Sequence, residues 1–566
     1  MKARWGKQLL LAACLANLAM PALADGKDAA KDGLNGLTAN DLLQLLIKEG
    51  IVSPDKLKEL SEKIQARERK QSDAAVEAVA SDARDTKPEQ QSGVVRVPYI
   101  PSYVRDEIRD QVRVGLKEDV TKDVLAQAQT ERWGLPGTLP EWIDRIKFSG
   151  DVRLRYQGDY FGSDNIGYTY PHLTALTDQL PIDNYTNYYN TTEDRDRLRT
   201  RFRLGMKAKI TNEFEAGARL VTGSRNDPVS TNQTIGSYDA KYETNFDLVY
   251  LSYTSLDKSV FLTGGRIVNP FLTTELVWDA DVSLEGLAGS WYWRRSDNSI
   301  DDEFQQFDPF ITAGVFPIQE IDQSQHDKWL YAAQLGFNYA FRDQSKLNVG
   351  LAYYDYQNIS GVRNKNPDGF DTNFTAPGSM QKGNSVFNIL NPSDPNSTVA
   401  LYALAADYRM VDFTVYYDYA GLSPTHVMTS FDYVKNIGYD SAKVNERVGI
   451  KVPAQTQGWQ LKLAVGWPTV TKLNDWQMSL AYRYLERDAV LDAFADSDFH
   501  LGGTDAKGYI LSFDYGLAYN VWASLKYMNS DEIKGNIAGF HSSIGTGYEK
   551  FPLAVDTLQL DLNAKF

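Results

Sequence analysis

Residues 194–210, DRDRLRTRFRLGMKAKI, alternate between charged and apolar side chains. One set comprises Arg197, Arg199, Arg201, Arg203, Gly205, Lys207 and Lys209, and the other comprises Leu198, Thr200, Phe202, Leu204, Met206, Ala208 and Ile210. Successive side chains of a β-strand point to opposite faces of a sheet. The pattern therefore predicts a strand with a column of cations on one face and an apolar strip on the other.

A period of two recurs from residue 146 to the C terminus. We predict about sixteen strands, at residues 146–157, 195–210, 214–224, 245–255, 259–267, 277–293, 308–317, 329–341, 346–357, 399–410, 412–420, 457–467, 475–487, 507–519, 521–531 and 555–566. Short connections such as 211–213 mostly alternate with long polar ones such as 225–244. This alternation is typical of an up-and-down barrel in an outer membrane.

Two architectures produce strands with one apolar and one polar face. A soluble β-sandwich buries the apolar face in its core, whereas a transmembrane barrel turns it to lipid and turns the polar face to a watery lumen. The 33 Tyr and 11 Trp suit interfacial aromatic girdles, and a mean hydropathy of −0.41 excludes a helical membrane protein. An arginine facing lipid at the bilayer midplane costs ~2–4 kcal/mol, so the cations must face the lumen. We predict an all-β transmembrane barrel of about sixteen antiparallel strands.

The last predicted strand alternates as far as the C-terminal aromatic residue. Its apolar face includes Leu558, Leu560, Leu562 and Phe566. This is the form that barrel-assembly machinery recognises, so we interpret these residues as the insertion signal. Outer-membrane lipid and the assembly machinery are the partners that this interpretation implies.

The first 24 residues read as an export signal, with a basic start, an apolar centre and the small-residue site ALA at 22–24. A competing reading, cleavage before Cys14 in LAAC, resembles a lipoprotein signal. Cys14 is the only cysteine, so cleavage after residue 24 leaves a mature chain without thiols or disulfides.

Residues 25–145 follow a helical period instead. Leucines cluster at 42–46, Gly50 suits a helix end, and Ser53-Pro54 suits a new helix start. The segment predicts a short α-helical extension, either a packed helical pair or an oligomerising stalk, because the apolar heptads do not last three to four repeats. The domain boundaries are therefore 1–24 for the signal, 25–145 for the extension and linker, and 146–566 for the barrel.

Several passages resemble the Gram-negative outer-membrane porins named "putative porin". They are NDLLQLLIKEGIVSPDKLKEL, RIKFSGDVRLRYQ, GGRIVNPF, WDADVSLEGLAG and the long run from YRYLERDAVLDAF to KYMNSDEI. The resemblance covers nearly all of the chain after the signal. It implies a sixteen-stranded barrel that is a homotrimer and passes small solutes passively, with a coiled coil in the periplasm. Related phosphate-selective porins also line their pores with arginines, but their binding residues do not map onto this sequence.

The predicted lumen face defines the candidate pore lining. Its basic members are Lys147, Arg153, Arg155, Arg197, Arg199, Arg201, Arg203, Lys207, Lys209 and Arg219, and its acidic members, from the strand predicted at 277–293, are Asp281 and Glu285. Rows of arginine and lysine favour anions, because the charge of the pore lining sets the selectivity of a channel. The net charge of −15 for the whole chain does not prevent such a preference. The alternative is that the arginines pair with acids of an inward-folded loop and only narrow the lumen. The first candidate for that loop is 358–398 and the second is 158–194.

Other classes of function fit poorly. The five histidines fall in predicted loops without a nucleophile–base spacing, so no enzyme and no cofactor are expected. The acidic loop DAFADSDFH is better explained as solvated than as a metal site, and the acidic charge argues against nucleic acid. The prediction is a passive outer-membrane diffusion channel with an anion preference. The alternative is a tethering barrel with a plugged lumen and a partner-binding extension. An energy-coupled transporter would need a larger barrel and a plug domain.

Overall fold

The computed structural model describes residues 145–167, 170, 188–293, 306–322, 324–394, 397, 399–534 and 552–566. The predicted export signal and helical extension lie outside these residues, so both stay predictions. No helix within the described ranges is long and apolar enough to cross a membrane.

Sixteen antiparallel strands form a closed barrel, as predicted. They are β1 (Ile146–Phe161), β2 (Arg195–Lys209), β3 (Phe214–Thr222), β5 (Thr244–Thr254), β6 (Val260–Val268), β7 (Ser283–Tyr292), β8 (Gln306–Gln319), β9 (Lys328–Ala340), β10 (Lys346–Gln357), β13 (Arg409–Tyr419), β14 (His426–Asn436), β15 (Gln457–Gly466), β16 (Trp476–Leu485), β17 (Ala506–Ala518), β18 (Val521–Glu532) and β19 (Ala554–Lys565). Each pairs with the next along the chain, and β1 pairs with β19 to close the ring. Closure satisfies the backbone hydrogen bonds that lipid cannot.

Shorter elements lie in the connections. They are β4 (Gln233–Thr234), β11 (Val386–Asn388), β12 (Tyr402–Leu404), the helix α1 (Ser441–Val448) and 3-10 turns at Asn373–Thr375, Asp492–Phe494 and Phe499–Leu501. Strand β4 pairs with β2, and β11 pairs with β12 in a separate two-stranded sheet. The Asp440 carboxylate caps α1 by accepting from the N–H of Ala442 at 2.9 Å, and Gly449 ends it with φ of 83°.

One predicted strand is wrong and one was missed. Residues 399–408 are not a barrel strand: β12 lies there, buried among inward-folded loops, and β13 begins at Arg409. The missing strand is β14, within residues that we predicted as a loop. Its inward face carries Met428 and Val434 between the polar Ser430, Asp432 and Asn436, and its outward face carries Thr429 and Lys435 between Val427, Phe431 and Tyr433. Because each face mixes apolar and polar side chains, the contrast between the two faces is weak.

The outward faces are apolar, with aromatic residues toward both rims. Leu154, Leu335 and Leu480 lie near mid-strand and are about half exposed in the isolated chain. Tyr331 and Tyr509 lie toward the rim with the long connections, and Trp291 and Phe566 toward the rim with the short turns. This is the pattern of a lipid-facing belt between two interfacial girdles.

Within the described residues, several long connections fold into the barrel from one rim. Three of them are the β6–β7 segment (269–282), the β10–β13 segment (358–408) and the β16–β17 segment (486–505). Their buried apolar residues form one cluster with the inner faces of strands β6–β10, β13, β14 and β16. Trp278 lies at the centre, with its ring 5.6 Å from that of Tyr354 and 5.5 Å from that of Phe494. One side of the lumen is therefore filled by an apolar core.

The C-terminal residue completes the ring, and this contact generates a prediction. Phe566 and Gly150 exchange both backbone hydrogen bonds, at 2.9 and 3.0 Å. A Cβ at Gly150 would lie 2.5 Å from the Phe566 ring and 2.6 Å from the Arg203 carbonyl oxygen. We expect Gly150→Leu to destabilise the barrel by about 1–3 kcal/mol, the usual cost of overpacking.

The measurement is gel electrophoresis after heating to a series of temperatures. It gives the temperature at which the folded barrel, which migrates fast, converts to the slower unfolded chain. Val152→Leu, two residues along the same face, is the control. Equal conversion temperatures for the two variants would contradict the assigned closure.

Candidate functional site: a charged passage beside the apolar core

The β6–β7 segment crosses the lumen and is fastened at several points. On one side, Arg203 Nη1 lies 3.2 Å from Asp281 Oδ1. On the other, the N–H and Oγ1 of Thr274 donate to Asp432 Oδ2 on β14, at 3.1 and 2.6 Å. Gln334 on β9 also exchanges two 2.8 Å hydrogen bonds with the backbone of Leu272. This segment spans the lumen between β2 and β14. Much of the second predicted constriction loop, 158–194, lies outside the described residues.

The other two inward segments are fastened to each other. Asp488 accepts from the N–H and Oγ of Ser385 at 2.8 and 2.6 Å, and from the hydroxyl of Tyr408 at 3.0 Å. The Asn384 side chain donates to the carbonyl oxygens of Arg487 and Val490. The first predicted constriction loop, 358–398, thus does fold inward, but it packs with the apolar core.

A cavity of about 190 Å³ lies between the β6–β7 segment and the opposite wall. We call it the central cavity. Its basic lining residues are Arg153, Arg155, Arg201, Lys462, Arg483 and Lys526, and its acidic ones are Glu275, Asp279, Asp281, Asp496 and Asp498. Glu275, Asp279 and Asp281 belong to the crossing segment, whereas the cations belong to the wall. Opposite charges therefore face each other across the narrow part of the lumen, in a transverse field.

Most of the predicted arginine column is present but paired. Arg155 contacts Asp561 at 2.7 Å and Asp498 at 3.0 Å. Further pairs are Arg197 with Asp159 at 2.6 Å, Arg201 with Asp151 at 2.8 Å, Arg203 with Asp151 at 2.7 Å, and Arg219 with Asp247. Acids of the wall supply most of these partners, and Asp498 and Asp281 come from inward-folded segments. Much of the column is therefore neutralised locally.

The remaining predicted residues are less tightly held. Arg199 donates to Gln157 Oε1 at 3.1 Å and to Ser230 Oγ at 3.4 Å, and Arg153 donates to Asn232. Lys207 lies 3.7 Å from Glu215. Lys147 and Lys209 are exposed at the rim with the short turns.

Glu285 does not lie on the lumen face with Asp281, as the sequence predicted. The strand predicted from residue 277 begins only at Ser283, so residues 275–282 do not alternate with it. Glu285 instead shares a face with the outward-facing Leu287 and Trp291, and it pairs with Arg266 on the same outer surface.

Sequence reasoning missed three wall cations, Lys462 on β15, Arg483 on β16 and Lys526 on β18. Each is the single charge within an alternating stretch of its strand: WQLKLAVGW, LAYRYL and WASLKYM. The alternation could have assigned each to the lumen face. It could not show that they reach the same height, which depends on the register of four strands.

The pKa values of two carboxyl groups in the β6–β7 segment, Glu275 and Asp279, are shifted in opposite directions. Desolvation opposes ionisation of Glu275, but the positive charges of Lys462 and Arg483 outweigh it and lower its pKa. Burial, with the nearby Asp496 and Asp281, raises the pKa of Asp279 well above its ordinary value. The surroundings therefore favour the charged form of Glu275 and the protonated form of Asp279.

A sequence model of the "putative porin" family matches residues 37–566. The chain belongs to the "putative porin" family. Together with the closed barrel, this places the porin in the outer membrane and supports a channel. No curated protein sequence matches it.

Solved porins resemble the porin in fold. OprB of Pseudomonas putida is 11% identical over 76% of this chain and 96% of its own, with a TM-score of 0.41. The anion-selective porin of Comamonas acidovorans is 9% identical over 74% and 99%, with a TM-score of 0.36. OmpT of Vibrio cholerae, in its trimer form, is 9% identical over 74% and 99%, with a TM-score of 0.37. Because these identities are low, the similarity concerns the fold, and the solutes of those proteins are not assigned to this porin.

The Asp432 anchor generates a prediction for this porin. Asp432→Ala removes the two hydrogen bonds that hold Thr274, a loss of about 3 kcal/mol for contacts to a buried carboxylate. We expect the β6–β7 segment to move, giving a larger and noisier single-channel current in planar bilayers. Thr429→Ala, on the outward face of the same strand, is the control. An unchanged current in a normally folded Asp432→Ala variant would contradict the anchor.

A second prediction concerns pH. Burial raises the pKa of Asp492 to about 7 and that of Asp505 to about 6, both in the β16–β17 segment. These two raised pKa values make the folded segment bind more protons than the unfolded one between about pH 4 and pH 7. Burial lowers the pKa of His500 in the same segment well below 6.5, which opposes the effect, but one imidazole acts against two carboxyl groups. The stability of the packing therefore falls as pH rises. Asp492 Oδ2 accepts from the N–H of Gln381 at 3.1 Å, whereas Oδ1 is buried without a hydrogen bond to any described residue.

We expect proteinase K to cut the β16–β17 segment faster at pH 7 than at pH 5, after normalisation to the unfolded chain. Asp492→Asn should flatten this difference. Faster cutting at pH 5 would reverse the sign and refute the assignment.

Proposed function

We propose that this porin passes small hydrophilic solutes by diffusion and prefers anions. The observation that carries the proposal is the central cavity. There, six basic side chains converge beside an apolar core that fills the other side of the lumen. A solute must pass through the charged side. Water and fixed charges at such a constriction set selectivity by local potential.

The balance of charge in the cavity supports the anion preference. Six basic side chains line the central cavity with five carboxyl groups, and burial together with Asp496 and Asp281 raises the pKa of one of these, Asp279. Lys462 and Lys526 form no ion pair with any described residue, so the positive charge of this wall is incompletely compensated, although the whole chain carries −15. Positive local potential raises the concentration of anions at the constriction.

Assembly and the N-terminal segment complete the proposal. We propose a homotrimer in outer-membrane lipid, assembled by the barrel-assembly machinery through the face containing Leu558, Leu560, Leu562 and Phe566. Residues 25–145 would form a periplasmic helical or coiled-coil extension after removal of the export signal. The rim with the short turns, where β1 begins, would then face the periplasm.

The test is conductance of the full-length protein in a planar bilayer, with the zero-current potential measured across a potassium chloride gradient. We expect steady channels, in steps of three for a trimer, and a zero-current potential of the sign that chloride permeation gives. A potential of the opposite sign would agree with the channel function but refute the anion preference. Absence of current would refute the channel and favour a tethering barrel with a plugged lumen.

A further inference from the structure

Two lysines flank a recess in the charged wall of the central cavity. Lys462 projects from β15 and Lys526 from β18, with β16 and β17 between them. Lys462 lies opposite Ala481 in the strand register, and Lys526 lies opposite Ser512, which in turn lies opposite Ser479. We call these five residues the lysine recess. Its floor consists of small side chains, which leave space between the two ammonium groups.

The neighbouring cations are already occupied. Arg483, on the same wall, donates to Gln460 at 2.6 Å and to Asp496 at 2.8 Å. Arg155 is held between Asp561 and Asp498. By contrast, neither Lys462 nor Lys526 forms an ion pair or a side-chain hydrogen bond with any residue that the structure describes. On β15 to β18, the two ammonium groups are therefore the cations available to a solute, although the Asp514 carboxyl on the inner face of β17 lies close enough to feel the charge of both.

The opposite side of the cavity limits the charge of a ligand. Glu275 faces the recess, and the positive charges of Lys462, Arg483 and Lys526 act on it. A solute with one negative charge can gain from both lysines. A second negative charge on the same solute would be repelled by the Glu275 carboxylate, which has no arginine partner within 4 Å in the described chain.

We propose that the lysine recess binds the carboxylate of a small organic monoanion as it crosses the channel. This inference rests on the proposed channel function and names the solute class and the residues that select it. The ammonium groups act as flexible point charges rather than as a rigid planar fork. They bind without fixing one orientation, which suits a site that a solute must also leave.

The test compares full-length wild type with Lys462→Gln and Lys526→Gln in planar bilayers, using potassium acetate as the probe. In wild type, conductance should saturate as the acetate concentration rises, because a site in the pore becomes filled. Each substitution should remove the saturation and lower the acetate-to-potassium permeability ratio by about three- to fivefold, the effect of one charge a few ångströms away in water. Lys462→Arg keeps the charge and should retain the preference for acetate.

Two controls separate this effect from general damage. Lys472→Gln changes an exposed lysine on the turn between β15 and β16, outside the recess, and should behave as wild type. Potassium sulfate tests the charge limit and should show weaker saturation than acetate. All variants should retain the heat-dependent gel shift of a folded barrel.

The outcomes are distinct. Acetate saturation that persists in Lys462→Gln and Lys526→Gln overturns the recess as the site. Tighter binding of sulfate than of acetate overturns the monoanion assignment. A wild-type protein that carries no current overturns the proposed channel itself, whatever the lysines do.

Discussion

The structure depends on one constraint, that every backbone N–H and C=O group within lipid must find a partner in the chain. An unpaired group there costs several kcal/mol, so a sheet in a membrane cannot keep an open edge. The eleven-residue register between β1 and β19 removes that edge, and Phe566 adds the last rung with Gly150. Once the ring is closed, the outward side chains must be apolar, whereas the inward ones are free to vary.

That freedom is used in two opposite ways inside the barrel. Against β8–β10, inward side chains such as Phe316, Leu330 and Tyr354 are apolar and fully buried by the folded-in segments, whereas β13 and β14 also bury Asp412 and Asp432 there. Against β1, β2 and β15–β19, many inward side chains are polar or charged. Burying an unpaired charge is expensive, so the arginines of the column are matched by nearby acids. The central cavity is the place where this compensation is incomplete.

Alternation of side chains predicted the barrel well because it acts within one strand. The basic column of β2, the fold class and the number of strands followed from it directly. It failed where both faces of a strand mix apolar and polar residues, as at β14, and where an apolar run belongs to a buried loop, as at 399–408. The alternation also placed the start of β7 at residue 277 instead of Ser283. It therefore assigned Glu285 to the same face as Asp281, although the two residues lie on different surfaces.

The site itself depends on information that no single strand contains. Lys462 and Lys526 come together only through the register of β15 to β18, and Glu275 reaches them only because Thr274 is held by Asp432 across the lumen. Sequence patterns identify inward residues but not their height or their partners. The pairing of Arg155 with Asp498, 343 positions apart, is of the same kind.

The central claim is that solutes pass the charged wall and not the apolar core. It is tested most directly by cysteine accessibility, in a chain whose Cys14 is replaced by serine. Ser512 lines the central cavity, whereas Ala403 is fully buried among the inward segments. A charged, water-soluble thiol reagent should react with Ser512→Cys and reduce the current, and should leave Ala403→Cys unmodified. Reaction at position 403 with loss of current, and none at 512, would show that the passage runs elsewhere.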